Sequence, residues 1–240
     1  METAREIREA MARLPINLFS FYSDIIAEVG AHESRGAVFA VISWIYRAIR
    51  PLTVEELGDV LSLGLPQNEA GGVMSSIESL LHICKGLVVK TRAGTVQFSH
   101  VTVLDFLQSE CESELLSDTH IAMTCLTYIG TMRMDGVCGD ERSMNERLTR
   151  FPFSRYAAVH WADHIKRAQD DANVKQTVIS TFATESTRDS ILQIEEYVGS
   201  GSNIVIVRGQ SFLHVISEKG LAKVCSFVLS RTRREQRGTE

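Results

Sequence analysis

Apolar positions fall into helical spacing from the start of the chain. Leu18, Phe21, Ile25, Ile26 and Val29 line one side of a helix that follows a charged, helix-prone stretch, residues 2–13, closed by Leu14-Pro15. Val38, Val41, Ile42, Ile45 and Ile49 repeat the pattern from Arg35 to Ile49. Pro51 ends it, because the residue before a proline is pushed out of the helical region. Thr53 opens the next helix: its hydroxyl accepts from the Glu56 amide while Glu56 reaches back to the Thr53 amide, and Val54, Leu57 and Leu61 form the buried side. After a loop at Gly64 to Asn68, Val73, Ile77, Leu80, Leu81 and Cys84 give a core-facing helix ended by Gly86.

The period then shortens. Leu87 to Thr91 and Thr95 to Ser99 are β-branched runs around Arg92-Ala93-Gly94, which predicts a hairpin. Thr102 and Asp105 are placed to cap a short helix containing Leu104 and Leu107. Helix, sharp turn, capped helix, longer helix, two short strands and another helix form, in that order, a winged helix, with 73–84 in the recognition position.

Beyond Glu110 the texture is helical, with helices predicted near Leu115 to Gly130, Arg155 to Ala168, Val174 to Ala183 and Ser190 to Val198, and a loop from Met132 to Asn145. Gly199-Ser200-Gly201-Ser202 reads as a flexible break. Ser211-Phe212-Leu213-His214-Val215 and Lys219-Gly220-Leu221 match a degraded ankyrin opening, Thr-Pro-Leu-His-x-Ala, with Ile216 where a small residue belongs. One such repeat cannot bury its own faces and needs neighbours to pack on. The predicted fold is therefore mainly α: a winged helix-turn-helix with a two-stranded β-wing, a helical spacer and an ankyrin-like helix pair. The corresponding segments are a lead-in (1–34), the winged helix (35–110), the spacer (111–198), the break (199–203), the incomplete repeat (204–232) and a basic tail (233–240).

With 240 residues and 44% hydrophobic content, the chain is long enough to bury a real core. Its densest apolar run, Ala37 to Tyr46, is too short to span a bilayer. Five scattered cysteines without a Cys-x-x-Cys pair, and no Asn-x-Ser/Thr acceptor, point to reduced thiols and a cytoplasmic setting. Net charge is −5, and from Arg50 to Glu110 four basic residues face seven acidic ones. That balance opposes affinity for nucleic acid or an anionic membrane.

Several motifs resemble one family in the correct order. These are Arg13-Leu14-Pro15, Trp44-Ile45, Arg50-Pro51-Leu52-Thr53 with Glu55-Glu56-Leu57, Gly86-Leu87-Val88, Phe98-Ser99-His100-Val101-Thr102-Val103 with Asp105-Phe106-Leu107, Cys125-Leu126-Thr127-Tyr128, and Tyr156-Ala157-Ala158 with His160-Trp161 and His164. Together they resemble the winged-helix and adjoining helical region of fungal NACHT-type (NLR-like, STAND) signalling ATPases, a domain also described as the GPI inositol-deacylase winged helix. Such proteins usually continue into ankyrin repeats. The family's upstream Gly-x-x-x-x-Gly-Lys-Ser/Thr phosphate loop does not occur in this chain, so ATP hydrolysis is not carried over.

The resemblance singles out His100. In such ATPases a histidine at the junction of wing and following helix contacts the diphosphate of ADP across an interdomain cleft, and imidazole is a competent donor to a phosphate oxygen. The bland alternative is a local cap. Ser76, Ser79, Lys85, Lys90 and Arg92 on the recognition helix and wing, with Phe212 and His214 on the ankyrin-like opening, are the expected protein-docking residues. His160 and His164 stand one turn apart, as zinc ligands can, but no third ligand or following glutamate completes a site. No Gly-x-Ser-x-Gly elbow occurs. The expectation is a non-enzymatic interaction and conformational-relay module, without cofactor or membrane partner, acting on a NACHT nucleotide-binding domain in cis or trans. A DNA-binding winged helix is the alternative.

Overall fold

A computed structural model describes residues 18–63, 77–131, 136–201, 203–205 and 209–237. The lead-in before Leu18, the Gly64 to Asn68 loop, Val73 and Ser76 lie outside the described residues. Helices α1 (Leu18–Gly30) and α2 (Arg35–Arg47) are followed by a two-residue strand β1 (Leu52–Thr53), α3 (Val54–Ser62) and α4, described over 77–83. The hairpin is β2 (Val88–Lys90) and β3 (Thr95–Phe98), and α5 (Val101–Phe106) runs on through a π turn at Leu107–Cys111 and a 3-10 turn at Glu112–Glu114. The remaining helices are α6 (Asp118–Thr131), α7 (Glu141–Arg150), α8 (Ser154–Ala168), α9 (Ala172–Thr181), α10 (Glu185–Gly199), α11 (Phe212–Glu218) and α12 (Ala222–Arg237).

The wing has a third strand that the sequence reading does not contain. β3 sits between β1 and β2, antiparallel to both, with Leu52 opposite Val96 and Val88 opposite Phe98. Leu52, Val88 and Val96 are buried, so one face of this small sheet closes on the helices. Gly94 turns the wing with φ +79°, a conformation glycine adopts without steric cost. Its carbonyl accepts the Val54 amide at 3.1 Å, satisfying one of the open donors at the start of α3. The capping box of Thr53 and Glu56 forms as the spacing predicts.

Three expectations need correction. Residues 141–145, read as loop, are the first turn and a half of α7, which Asp140 and Ser143 cap reciprocally. Only Met144 and Leu148 bury from this helix, too sparse a stripe to register as a period. At α5 the capping residue is His100, not Thr102 or Asp105; Thr102 falls inside the first turn and Asp105 is exposed mid-helix. Helix α12 also continues to Arg237, into the segment set apart as a basic tail.

Buried apolar side chains form one contiguous cluster from Tyr22 to Val224, so the segments separated on sequence grounds share a core. Trp44 joins them: it is buried, edge-on to Phe153 at 5.3 Å, and close to His164. α8 is the central strut, packed against α6 and α10. The pair α11–α12 packs back on this bundle, with Lys219 bound to Glu195 and Arg231 to Gln176 at 2.8 Å. No helix among the described residues is long and apolar enough to cross a membrane.

Candidate functional site

The end of α2, the wing and the start of α5 enclose a groove of about 380 Å³. Ile45, Tyr46 and Ile49 form one wall, Phe98 the floor of the wing side, and Val101 and Leu104 the other wall. Two of these are unusually open for apolar residues: Ile49 is 37% exposed and Val101 63%. A larger open hollow of about 880 Å³ is lined, among the described residues, by the Asp140 to Arg150 stretch, which brings no second described element to a ligand.

His100 stands at the groove mouth. Its Nδ1 accepts the Thr102 amide at 3.2 Å and lies 2.8 Å from Thr102 Oγ1, which is itself 2.8 Å from the Tyr22 hydroxyl. With Nδ1 accepting the amide proton, a neutral ring carries its own proton on Nε2. The residue is exposed, so capping and donation outward are compatible: one nitrogen holds α5, and the other remains for a partner.

Under the groove lies a polar chain that ties the winged helix to α8. Arg50 makes two hydrogen bonds to Glu56, at 2.6 and 2.7 Å, and its guanidinium lies 5.1 Å over the Tyr156 ring. Glu56 is 2% exposed and also accepts the Thr53 amide at 2.9 Å. The Ile49 amide donates to the Tyr156 hydroxyl at 2.9 Å, and that hydroxyl sits 2.7 Å from His164 Nε2. The His164 tautomer with its proton on Nδ1 lets the phenol donate to Nε2 while the phenol oxygen accepts the Ile49 amide. That Nδ1 is buried with no partner among the described residues. Burial, helped by Arg167 and His160, lowers the His164 imidazole to about 4, so it is neutral near pH 7. Burial likewise raises the Tyr156 phenol and lowers His160.

A second polar link lies at Asp59. Tyr128 on α6 donates to Asp59 Oδ2, and the Phe153 amide, at the start of α8, donates to the same oxygen at 3.0 Å. Burial raises the carboxyl above its ordinary range, opposed by these two bonds. Arg47, half-buried at the end of α2, adds a third: it binds Glu112 at 2.7 Å and Asp118 at 3.2 Å, and donates to the Leu116 carbonyl.

The residues expected to dock a partner fall in two places. Ser79 is exposed on α4, and Lys90 on the wing reaches Glu78 of the same helix at 3.5 Å. Lys85 is bound by Glu28 of α1, and Arg92 is exposed at the wing tip. Phe212 and His214 belong to α11; Phe212 is half-buried, and His214 lies 4.0 Å from Glu218. None of these lines the groove beside His100. His160 and His164 do not converge on one point as a ligand pair, since His164 Nε2 is engaged by Tyr156 while His160 Nδ1 lies 3.5 Å from Asp163. No group of three or more His, Cys, Asp or Glu able to hold a metal occurs among the described residues.

The linking residues Arg50, Glu56, Asp59, Tyr128 and Tyr156 escape sequence reasoning as a set. Arg50, Glu56, Tyr128 and Tyr156 fall inside motifs of the family resemblance, and Glu56 also in the capping box, but a lone tyrosine or aspartate on a helix carries no signature of a partner about a hundred residues away.

Comparison with known families matches residues 27–122 to the GPI inositol-deacylase, winged helix domain. The matched segment begins in α1 and ends within α6. No curated protein and no solved structure matches the chain.

Proposed function

We propose that this chain is a non-enzymatic protein-interaction and conformational-relay module, and that its groove docks a partner protein. The observation that carries the reading is the pairing of an open apolar groove, with Val101 63% and Ile49 37% exposed, with a buried polar chain leading from its wall to α8. A partner pressing on Ile49 loads the Ile49 amide, the Tyr156 hydroxyl and His164 in turn. The resemblance supplies the kind of partner: a NACHT-type nucleotide-binding domain in cis or trans, with His100 Nε2 facing its bound nucleotide. The continuation into an ankyrin-like pair is part of the same reading, supported by Ser211 capping α11 as the motif's threonine would.

Charge speaks against the DNA-binding alternative. Of the cations in the matched segment, Arg35, Arg47, Arg50, Lys85 and Lys90 are each paired with a carboxylate, leaving little for phosphate neutralisation. The test is a pull-down of nucleotide-binding domains loaded with ADP or ATP analogue, with Val101→Glu and His100→Ala as variants. Binding lost with Val101→Glu supports the reading; no binding in any nucleotide state overturns it. Titration of a mixed-sequence duplex at low salt closes the alternative: micromolar binding that weakens steeply with salt would reverse the ranking.

A further inference from the structure

The polar chain under the groove depends on one acceptor that a proton removes. The Tyr156 oxygen takes the Ile49 amide at 2.9 Å, and the phenol proton goes to His164 Nε2 at 2.7 Å. This holds while Nε2 is bare, because the hydroxyl then has one donor and one acceptor for neighbours. A proton on Nε2 turns both neighbours into donors. Three hydrogens, those of the Ile49 amide, the phenol and the imidazolium, then crowd one oxygen, and the phenol's own has no acceptor in either neighbour. One of the two bonds must break.

The surroundings do not compensate a charged ring. His164 is 1% exposed, and its Nδ1 is buried without a hydrogen-bond partner. Arg167 and His160 on the same helix oppose a positive charge there; Asp163 favours it, but is shared with His160 at 3.5 Å and Lys166 at 3.3 Å. Facing Tyr156 and the ring from other elements are Arg50, engaged by Glu56, the uncharged edge of Trp44, and Cys125 of α6, whose thiol burial raises. An imidazolium is therefore driven out of this site. The neighbouring links respond differently. Burial raises the Asp59 carboxyl, which receives the Phe153 amide at the start of α8, so proton uptake there favours the closed arrangement. Tyr46 and Arg47 hold Glu112 below its ordinary range, so that pair persists further into acid.

We propose that His164 is a proton-operated latch on the groove wall: one proton on Nε2 detaches the Tyr156 hydroxyl from the Ile49 amide and frees Ile49, while the start of α8 stays pinned at Asp59. The latch is closed at neutral pH and opens in acid. Ile49 forms part of the groove, so its release unmakes the wall that a partner would press on. That consequence rests on the reading of the groove as a protein-docking surface; the latch itself does not.

Amide hydrogen exchange read by NMR on the full chain, at about pH 7 and about pH 5 and corrected for intrinsic exchange, tests the latch. The displaced ring titrates near its ordinary 6.5 and the seated ring at about 4, so opening is favoured about twentyfold more at the lower pH. Protection of the Ile49 amide is expected to fall about tenfold or more, and that of the Phe153 amide by less than about twofold. His164→Gln keeps an oxygen for the phenol and does not titrate, so it removes the pH dependence at Ile49. If that variant misfolds, the wild-type His164 ring resonances replace it, and ring protonation must track the loss of Ile49 protection. Unchanged Ile49 protection overturns the proposal, as does loss of Phe153 protection in step, a wild-type pH response in His164→Gln, or a protonated ring beside a protected Ile49. A pull-down of ADP-loaded nucleotide-binding domains at the same two pH values reads the consequence: binding lost in acid by wild type and kept by His164→Gln supports it, and binding indifferent to pH overturns the step from latch to groove. No binding at about pH 7 removes the docking reading and leaves the latch to stand or fall on exchange.

Discussion

Glu56→Ala is the sharpest test of the polar chain. The side chain is 3% exposed and its two oxygens take three hydrogen bonds, two from Arg50 and one from the Thr53 amide. Truncation removes half of a capping box, which costs about 1 kcal/mol. It also strands a guanidinium that packs on Tyr156. A fully buried charge left without its partner costs about 3–5 kcal/mol, but Arg50 is 36% exposed and regains water, which brings that part to about 2. The expected loss is about 3 kcal/mol in all, within the range of single-site effects that have a named cause.

Arg50→Ala is expected to cost at least as much, since it strands the less exposed member of the pair, and Glu56→Gln less, about 1 kcal/mol, because an amide oxygen still accepts from Thr53. Urea denaturation followed by far-UV circular dichroism reads all of these, with an unchanged m value showing that the unfolded states are comparable. A double-mutant cycle between Arg50→Ala and Glu56→Ala should return a coupling well above the few tenths of a kcal/mol found for independent sites. If Glu56→Ala falls within about 0.5 kcal/mol of wild type, or the cycle is additive, the pair does not help hold the winged helix to α8.

Other perturbations follow from the same contacts. His164 is neutral when folded down to about pH 4, whereas in the unfolded chain it takes up a proton near its ordinary value of about 6.5. The unfolded state therefore binds the extra proton between these values, and stability falls as pH drops through that window, by up to about 3 kcal/mol. His164→Gln flattens the slope in a pH series of urea midpoints; an unchanged slope refutes the assignment. Gly94→Ala forces a Cβ into φ +79° with no steric contact within 4 Å, so the cost is that of the backbone conformation alone, about 1–2 kcal/mol by chemical denaturation. Tyr156→Phe leaves the ring packing and deletes the hydroxyl, orphaning the Ile49 amide; a loss of about 1–3 kcal/mol is expected, and none would show that water replaces it.

The chain's periodicity carried most of the fold, and for a physical reason. α1, α2, α6 and α8 each bury a broad apolar stripe, so their spacing survives in the sequence. β1 did not, because Leu52-Thr53 is two residues long and doubles as the approach to the α3 cap. α7 did not, because a surface helix with two buried side chains leaves mostly charged positions to read. His100 was legible as a candidate from its place at the wing's end, where a local cap was one of its two readings, and the structure shows that cap in its bond from the Thr102 amide. The groove was not legible at all. Its walls come from residues 45–51 and 96–104, which no local pattern joins.

The boundary of the family match sharpens what the module must be. It ends at residue 122, one turn into α6, while Tyr128, which binds Asp59, lies further along that helix. Trp44 and the Ile49 amide belong to the matched segment, yet they are covered or satisfied by Phe153, Tyr156 and His164. A fragment stopping at 122 would expose the indole, leave the Ile49 amide open and leave the Asp59 carboxylate without either donor, each a deficit of about 1–3 kcal/mol against a total stability of about 5–15. The matched segment is thus the recognisable part of a larger folding unit, and α8 is its buttress. The groove wall and α8 are joined by short buried hydrogen bonds, not by a flexible linker, and a relay of the kind proposed requires that stiffness.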